Sequence, residues 1–320
     1  MEYVYLGKSN LKVSRLCFGG LTVGPLQANL PVEEGARIIA RAFDLGVNFI
    51  DTAKLYKTYP YIKRAFEISK NKDIVISTKS YDYTYEGMRE SVQEALDELG
   101  VKKIGIFSLH EQESKYTLKG HGDALRYLQD AKKQGIIEAI GISTHAIEVV
   151  NEICKMDIVD IIFPIVNIKG LGILDGNIDD MLKAVERAAG CGKGVYAMKP
   201  LGGGNFSTGT PEYINECFDF VLNNRNIHSI AVGMQSIDEV EANVARFEGR
   251  EIDKDISMRL RMREKRLHID DWCQACGCCV KACKNGALRI ENNRAVVDEK
   301  KCLLCGYCSA YCPEFCIKIV

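Results

Sequence analysis

Two sets of residues in this chain have types and spacings that could do chemistry. The first is Asp51, Lys79 and His110, polar side chains at the ends of expected strands, with Tyr56 in the loop that follows Asp51. Brought together they would form an adjustable acid. A lysine ammonium favours the phenolate and lowers a tyrosine from its usual pKa of about 10, while the aspartate holds the lysine. A phenol so adjusted can protonate a developing alkoxide. The second set is Cys273-x2-Cys276-x2-Cys279-x3-Cys283, followed 19 positions later by Cys302-x2-Cys305-x2-Cys308-x3-Cys312-Pro313. In a double run of this kind three close cysteines hold one [4Fe–4S] cluster and the fourth ligates the other. The spacing therefore assigns Cys273, Cys276, Cys279 and Cys312 to one cluster, and Cys302, Cys305, Cys308 and Cys283 to the second. Paired Cys-x2-Cys also makes zinc ribbons, but two complete four-cysteine runs favour iron and sulfide.

The remaining cysteines carry less. Of 14 in the chain, 10 lie between Cys273 and Cys316. Cys278 and Cys316 are surplus to eight ligands, and Cys17, Cys154, Cys191 and Cys217 read as buried small apolar residues. In a chain without an export signal such density points to metal ligation before disulfides. The opening Met1-Glu2-Tyr3-Val4-Tyr5-Leu6-Gly7-Lys8 lacks the order of a signal peptide, and no apolar run reaches membrane-spanning length, so a cytoplasmic location is expected. Lys+Arg 42 against Asp+Glu 43 leaves a formal net charge of −1, which argues against nucleic acid or a membrane surface as partner. Hydrophobic residues at 47% and charged residues at 27% are those of a globular protein with a sizeable core.

The first set needs a scaffold that brings four distant positions together. Between residues 10 and 250 short β-branched runs alternate with helical patterns, and the expected strands are Arg15–Phe18, Val47–Asp51, Ile74–Lys79, Ile104–His110, Ala139–Ser143, Ile161–Asn167, Gly194–Lys199 and Ser229–Gly233. Most are near-continuous apolar runs, as strands covered on both faces should be. Met88, Val92, Leu96 and Leu99 mark one intervening helix, closed by Gly100. Others are expected around Ala36–Leu45, Ala124–Gln134, Met181–Ala189, Ile214–Asn223 and Val240–Phe247. Eight such units close as a (β/α)8 barrel, whose C-terminal face would carry all four polar residues. Residues 1–255 are thus expected to form the barrel, with a hairpin of Tyr3–Leu6 and Leu11–Ser14 capping its bottom. Residues 256–265 would be a linker or helix, and residues 266–320 a small α+β iron-sulfur domain with a hairpin around Asn292-Asn293.

From Leu6-Gly7-Lys8 and Val13-Ser14-Arg15-Leu16 through Asn243, the chain resembles the aldo-keto reductases. Asp51-Thr52-Ala53-Lys54-Leu55-Tyr56 looks like that family's aspartate-to-tyrosine motif, Thr78-Lys79 its lysine and Ser108-Leu109-His110 its histidine. The resemblance implies Tyr56 as proton donor, Lys79 and Asp51 as its tuning pair, and His110 as carbonyl-orienting donor or relay partner. It also implies a site for NAD or NADP. Ser143 and Thr144 resemble the segment holding the nicotinamide carboxamide, with Asn167 as a second donor. Pro200-Leu201-Gly202-Gly203-Gly204 looks like the pyrophosphate loop, where missing side chains let N–H groups approach phosphate. Gly233-Met234-Gln235-Ser236, with Asn243, is similar to the last cofactor segment at a helix N-terminus.

Three departures stand out. Met198 replaces the aromatic ring that most members stack on the nicotinamide. Glu239 stands where many members bind the 2′-phosphate, which brings NAD into consideration beside NADP. Lys57-Thr58-Tyr59-Pro60 follows Tyr56 in place of the usual glycine.

The cysteine segment resembles a bacterial two-cluster ferredoxin. Hydride moves two electrons at once and each cluster passes one, so the two halves would need a mediator such as a flavin. One reading is an NAD(P)-dependent oxidoreductase acting on a small carbonyl or alcohol substrate, with Tyr56 as acid. Another is a ferredoxin-linked, flavin-assisted or direct one-electron reductase, with ferredoxin or another redox protein as partner. A third is a non-catalytic electron-carrier or redox-sensing subunit. The complete set of Asp51, Tyr56, Lys79 and His110 argues against the third. Gln112–Gly122 and Lys169–Asn177 would shape the substrate pocket, and the tail could cover the mouth.

Overall fold

In the computed structural model, which describes residues 1–320, the chain opens with two short antiparallel strands, β1 (Tyr3–Tyr5) and β2 (Lys12–Ser14). Eight parallel strands then close a barrel. They are β3 (Leu16–Gly19), β4 (Phe49–Asp51), β5 (Val75–Ser80), β6 (Ile104–Leu109), β7 (Ile137–Thr144), β8 (Ile161–Pro164), β9 (Gly194–Met198) and β10 (Ser229–Gly233). Their order around the barrel follows the chain, with β10 returning to pair β3. Each connection carries a helix or an irregular crossover over the outside, as parallel pairing requires.

The barrel interior is packed. Leu6, Leu11 and Val13 from the β1–β2 hairpin join Phe49, Ile106 and Tyr196 in the inner core, so the hairpin plugs the bottom. Lys8 N–H donates to the Gly192 carbonyl at 2.9 Å just before β9, which fixes the plug at that end. A larger core lies between strands and helices, and it includes one residue from the far end of the chain, Phe315. The helix Tyr85–Leu99 buries Met88, Val92 and Leu99 and ends at Gly100, whose φ of +69° is the left-handed cap its sequence position demands.

After the last barrel helix, Ile237–Phe247, a helix spans Lys254–Met262 where a linker or helix was expected. The cysteine-rich segment that follows folds around two small sheets. β11 (Leu267–Ile269) pairs antiparallel with the last strand of the chain, while β12 (Leu288–Glu291) and β13 (Arg294–Val297) form a hairpin turning at Asn292 and Asn293. Those asparagines have φ of 48° and 59°, as a two-residue hairpin turn of this hand needs. The last strand, β14 (Ile317–Ile319), is fully buried although three residues long. It lies against the barrel at Gly203, whose carbonyl accepts the Ile319 N–H at 3.3 Å.

Strand ends lie within three residues of the sequence expectation, and the last strand, Ser229–Gly233, matches at both ends. The expected β8 reached Asn167; its regular pairing ends at Pro164, with one isolated bridge between Ile165 and Met198 beyond it. Cys17 and Cys217 are buried as expected, whereas Cys154 is half-buried and Cys191 exposed. Both of the latter sit just past the ends of helices, where the periodicity that would bury them has stopped.

Candidate active site

The barrel brings the four polar residues of the first set to one mouth. Asp51 ends β4 and pairs in register with Ser77 of β5; Lys79 follows two residues on, and His110 comes directly after β6. Tyr56 closes a single 3-10 turn, Lys54–Tyr56. Lys57, at the position where the family has glycine, has φ of 56° and holds the left-handed conformation that glycine adopts freely.

Lys79 is fully buried and donates from Nζ to Asp51 Oδ2 and to the Thr52 carbonyl, both at 2.7 Å. The same ammonium lies 4.9 Å from the centre of the Tyr56 ring. Tyr56 Oη and His110 Nε2 are 3.5 Å apart. The imidazole also stacks on Tyr81, ring centres 4.2 Å apart, and its buried Nδ1 has no hydrogen-bond partner. Burial, with the ammonium groups of Lys79 and Lys199 nearby, holds His110 well below the usual histidine range, so the ring is neutral.

The tyrosine departs from the expected tuning. Burial, followed by the Asp51 carboxylate, pushes the Tyr56 phenol well above its ordinary value. The Lys79 ammonium is bonded to Asp51, and burial outweighs its pull on the phenol. At rest the phenol therefore carries its proton. Burial also raises Asp51, against the pull of Lys79.

One further residue, unseen in the sequence, belongs to this network. Tyr196 on β9 donates to Asp51 Oδ1 at 3.0 Å, shares a hydrogen bond with Ser77 at 2.8 Å, and stacks on Phe163 with ring centres 3.9 Å apart. The alternation of inward residues along β9 was the available signal, but it looks the same for a packing residue. Lys199, just past β9, is a second unexpected group. Its Nζ is 2.9 Å from His145 Nε2, and burial, with Lys318 adding to it, lowers its pKa to about 7.

The residues expected around a dinucleotide are engaged inside the chain. Ser143 Oγ accepts the Glu111 N–H at 2.8 Å, and Thr144 Oγ1 donates to the Gln112 carbonyl at 2.5 Å. The Asn167 amide is bonded at both ends to the Leu171 backbone, each at 2.9 Å. Ser236 caps the final barrel helix through the Glu239 N–H at 3.2 Å, and Asn243 accepts from Arg246 at 2.6 Å. Met198 and Leu201 are half-buried, and Gly233 is exposed at the end of β10. Gly203 and Gly204 lie under the final strand. Glu239, expected beside a ribose, instead pairs with Arg263 of the following segment at 2.5 Å and accepts the Gln235 N–H at 2.6 Å.

The cysteine-rich domain roofs this mouth. The Phe315 ring meets His145 edge-on, centres 5.8 Å apart, and the Lys199 ammonium lies 4.3 Å over it. Lys318 is buried, bonds Asp270, and donates to the Phe315 carbonyl at 3.1 Å. The Asp270 carboxylate is close enough to be among the charges that raise Tyr56.

Cys273, Cys276, Cys279 and Cys312 line one pocket together with Cys316. Cys302, Cys305 and Cys283 are the neighbours, with Cys279, whose charges raise the Cys308 thiol after burial. Backbone N–H groups approach the sulfurs: Ala295 to Cys273 at 3.5 Å, Cys316 to Cys312 at 3.4 Å and Ala287 to Cys283 at 3.3 Å. A hydrogen bond from Cys316, helped by backbone N–H groups, draws the Cys312 thiol down toward thiolate. No group of three or more His, Cys, Asp or Glu side chains converges as around a single metal ion.

The family model for the aldo/keto reductase family matches residues 15–216, most of the barrel, and ends before the first cysteine run. L-Galactose dehydrogenase of Arabidopsis thaliana is 24% identical over 283 residues, covering 77% of this chain and 88% of that protein. D-threo-Aldose 1-dehydrogenase of a Pseudomonas species is 26% identical over 169 residues, covering 42% of this chain and 51% of the relative. An aldo-keto reductase from Bacillus halodurans, solved in its holo form, superposes with a TM-score of 0.64 at 20% identity, covering 82% of this chain and 96% of that one. At that identity the likeness is one of fold.

Proposed function

The chain belongs to the aldo/keto reductase family, and on that premise we propose that it reduces a small carbonyl compound, or oxidises the matching alcohol, at the C-terminal mouth of its barrel with Tyr56 handling the proton. The observation that carries this is the arrangement around that phenol: Lys79 on Asp51 at 2.7 Å, the Lys79 ammonium 4.9 Å from the Tyr56 ring, and His110 Nε2 3.5 Å from Tyr56 Oη.

The proton follows from these contacts. A reduced carbonyl gains a hydride equivalent at carbon and a proton at oxygen. The buried, protonated Tyr56 supplies the proton as charge develops on that oxygen. The phenolate left behind is then the charge that Lys79 faces, and Asp51 keeps the ammonium in place through the bond that Tyr196 helps to orient. Neutral His110 sits beside the same oxygen position as a hydrogen-bond donor, its ring held flat by Tyr81. In the oxidative direction each proton moves the other way.

The aldo-keto reductases use NAD(P), which supplies hydride when bound. With the cysteine-rich domain docked, Gly203 and Gly204 are covered by β14 and Phe315 and Glu239 is paired with Arg263, and the group does not fit this arrangement. The proton roles of Tyr56, Lys79, Asp51 and His110 do not depend on it; the two reducing electrons come from a reduced nicotinamide or from two one-electron transfers. The cysteine-rich domain fits two [4Fe–4S] clusters: the pocket lined by Cys273, Cys276, Cys279 and Cys312 is the ligand set expected for one, and Cys283, Cys302, Cys305 and Cys308 are grouped for the other. Bound there, the clusters supply one-electron chemistry within the domain that roofs the mouth. That placement favours the ferredoxin-linked reading as the second candidate, with residues 266–320 as an electron-transfer domain.

The test is an anaerobic assay of the full chain. A panel of aldehydes and ketones is offered with NADH, with NADPH, and with a chemically reduced ferredoxin or viologen. Conversion of a carbonyl to its alcohol is expected with at least one reductant. A chain of full iron content that reduces none of them, and oxidises no alcohol, would overturn the proposal.

A further inference from the structure

The glycines at 202–204 have an occupant in this structure, and it belongs to the chain. Gly204 has φ of +85°, and a Cβ there would fall 1.8 Å from the Ile319 carbonyl oxygen. At Gly203, with φ of +66°, a Cβ would come within 3.1 Å of the Phe315 ring. The missing side chains that make a loop suitable for phosphate are here what lets β14 lie against it. Around this contact the docking continues. Ser309 Oγ donates to the buried Asn205 at 2.6 Å, and Lys265 bonds the Ser207 carbonyl. Arg263 pairs with Glu239 at 2.5 Å and donates to Gln235 at 2.9 Å, while Arg259 pairs with Asp238 at 2.7 Å. Phe315 is 5% exposed, its ring packed into the main core of the barrel.

We propose that the cysteine-rich domain and a nicotinamide dinucleotide are mutually exclusive occupants of one face of the barrel. β14 and Phe315 fill the place above Gly203 and Gly204, and Arg263 takes the carboxylate of Glu239. A dinucleotide laid along this face would need the space over the same glycines and the same start of the final helix. It therefore enters only when residues 263–320 move away, and its apparent affinity falls by the fraction of chains in which they have done so. The proposal rests on the family reading of the barrel but not on the role of Tyr56 or on the clusters being present.

The experiment uses the full chain, purified anaerobically, with NADH and NADPH as titrants in isothermal calorimetry and with hydrogen exchange read at residues 200–206 and 315–320. The variants are Arg263→Glu, which sets like charges against Glu239, and Phe315→Ala, which removes the ring from the face. Expected is weak or undetectable nucleotide binding by the native chain. Any binding at high nucleotide should be accompanied by faster exchange at residues 315–320. The doubly substituted chain should bind at least tenfold more tightly. Tight binding by the native chain with exchange at 315–320 unchanged would overturn the proposal. So would a doubly substituted chain that gains no affinity. Iron and sulfide content and turnover are recorded separately, so a failure of the cluster assignment or of the Tyr56 role shows there and not in the nucleotide titration.

Discussion

The Lys199 ammonium lies 4.3 Å over the Phe315 ring, so a residue at the end of a barrel strand and a residue three positions past a cluster-ligand candidate meet directly above the mouth. That contact places the cysteine-rich domain within reach of the groups that handle the proton. It also puts Lys199 in an environment with few compensating charges.

A pH dependence of stability follows from Lys199. Burial lowers its folded pKa from the ordinary lysine value to about 7. Between about pH 7 and the lysine value of about 10.4 the unfolded chain holds a proton that the folded chain has released, so this residue makes stability rise with pH across that window. Lys199→Met should flatten that slope in urea titrations at pH 7, 8 and 9 and raise the midpoint most at pH 7. A slope unchanged by the substitution would show that Lys199 keeps its proton in the folded chain.

The Lys79–Asp51 pair should be costly to break from one side. Both groups are nearly inaccessible, with side-chain exposures of 1% and 5%, and Lys79→Met leaves the carboxylate buried without its partner. A loss of about 3–5 kcal/mol is expected from denaturant unfolding. The double substitution Lys79→Met with Asp51→Asn should recover part of that stability without restoring turnover, since the phenolate would still lack its cation.

Iron content separates ligands from bystanders. The native chain should carry about eight iron and eight sulfide, as two [4Fe–4S] clusters require. Cys312→Ser should lose about half of both, because Cys312 lines the pocket with Cys273, Cys276 and Cys279. Cys278→Ser, which removes a thiol outside that lining, should leave the content unchanged. Equal losses in the two variants would contradict the grouping of the thiols.

The barrel was legible because its strands are covered on both faces and most read as near-continuous apolar runs, and because helical periodicity separates them, closed in one case by Gly100. The mouth was legible for the same reason: Asp51, Lys79 and His110 are each the polar residue at which an apolar run stops. The docking of the cysteine-rich domain was not legible. β11 and β14 are three residues each and pair across some fifty positions, too short to show a period and too distant to show a turn. The glycine run at 202–204 looks the same in sequence whether a phosphate or a strand lies on it, and Glu239 reads as a ribose ligand until Arg263 is seen beside it. The tuning of Tyr56 was misjudged because the effect of Lys79 depends on where its proton donors point. Two of them are directed at Asp51 and Thr52.

The measurement that bears most directly on the account is single-turnover reduction of a carbonyl substrate by Tyr56→Phe beside the native chain, with substrate affinity and iron content determined on the same preparations. The account predicts that the rate falls by about 10²–10⁴-fold while affinity and iron stay as they were. A phenylalanine chain that turns over at the native rate would contradict it, because the proton would then be coming from elsewhere.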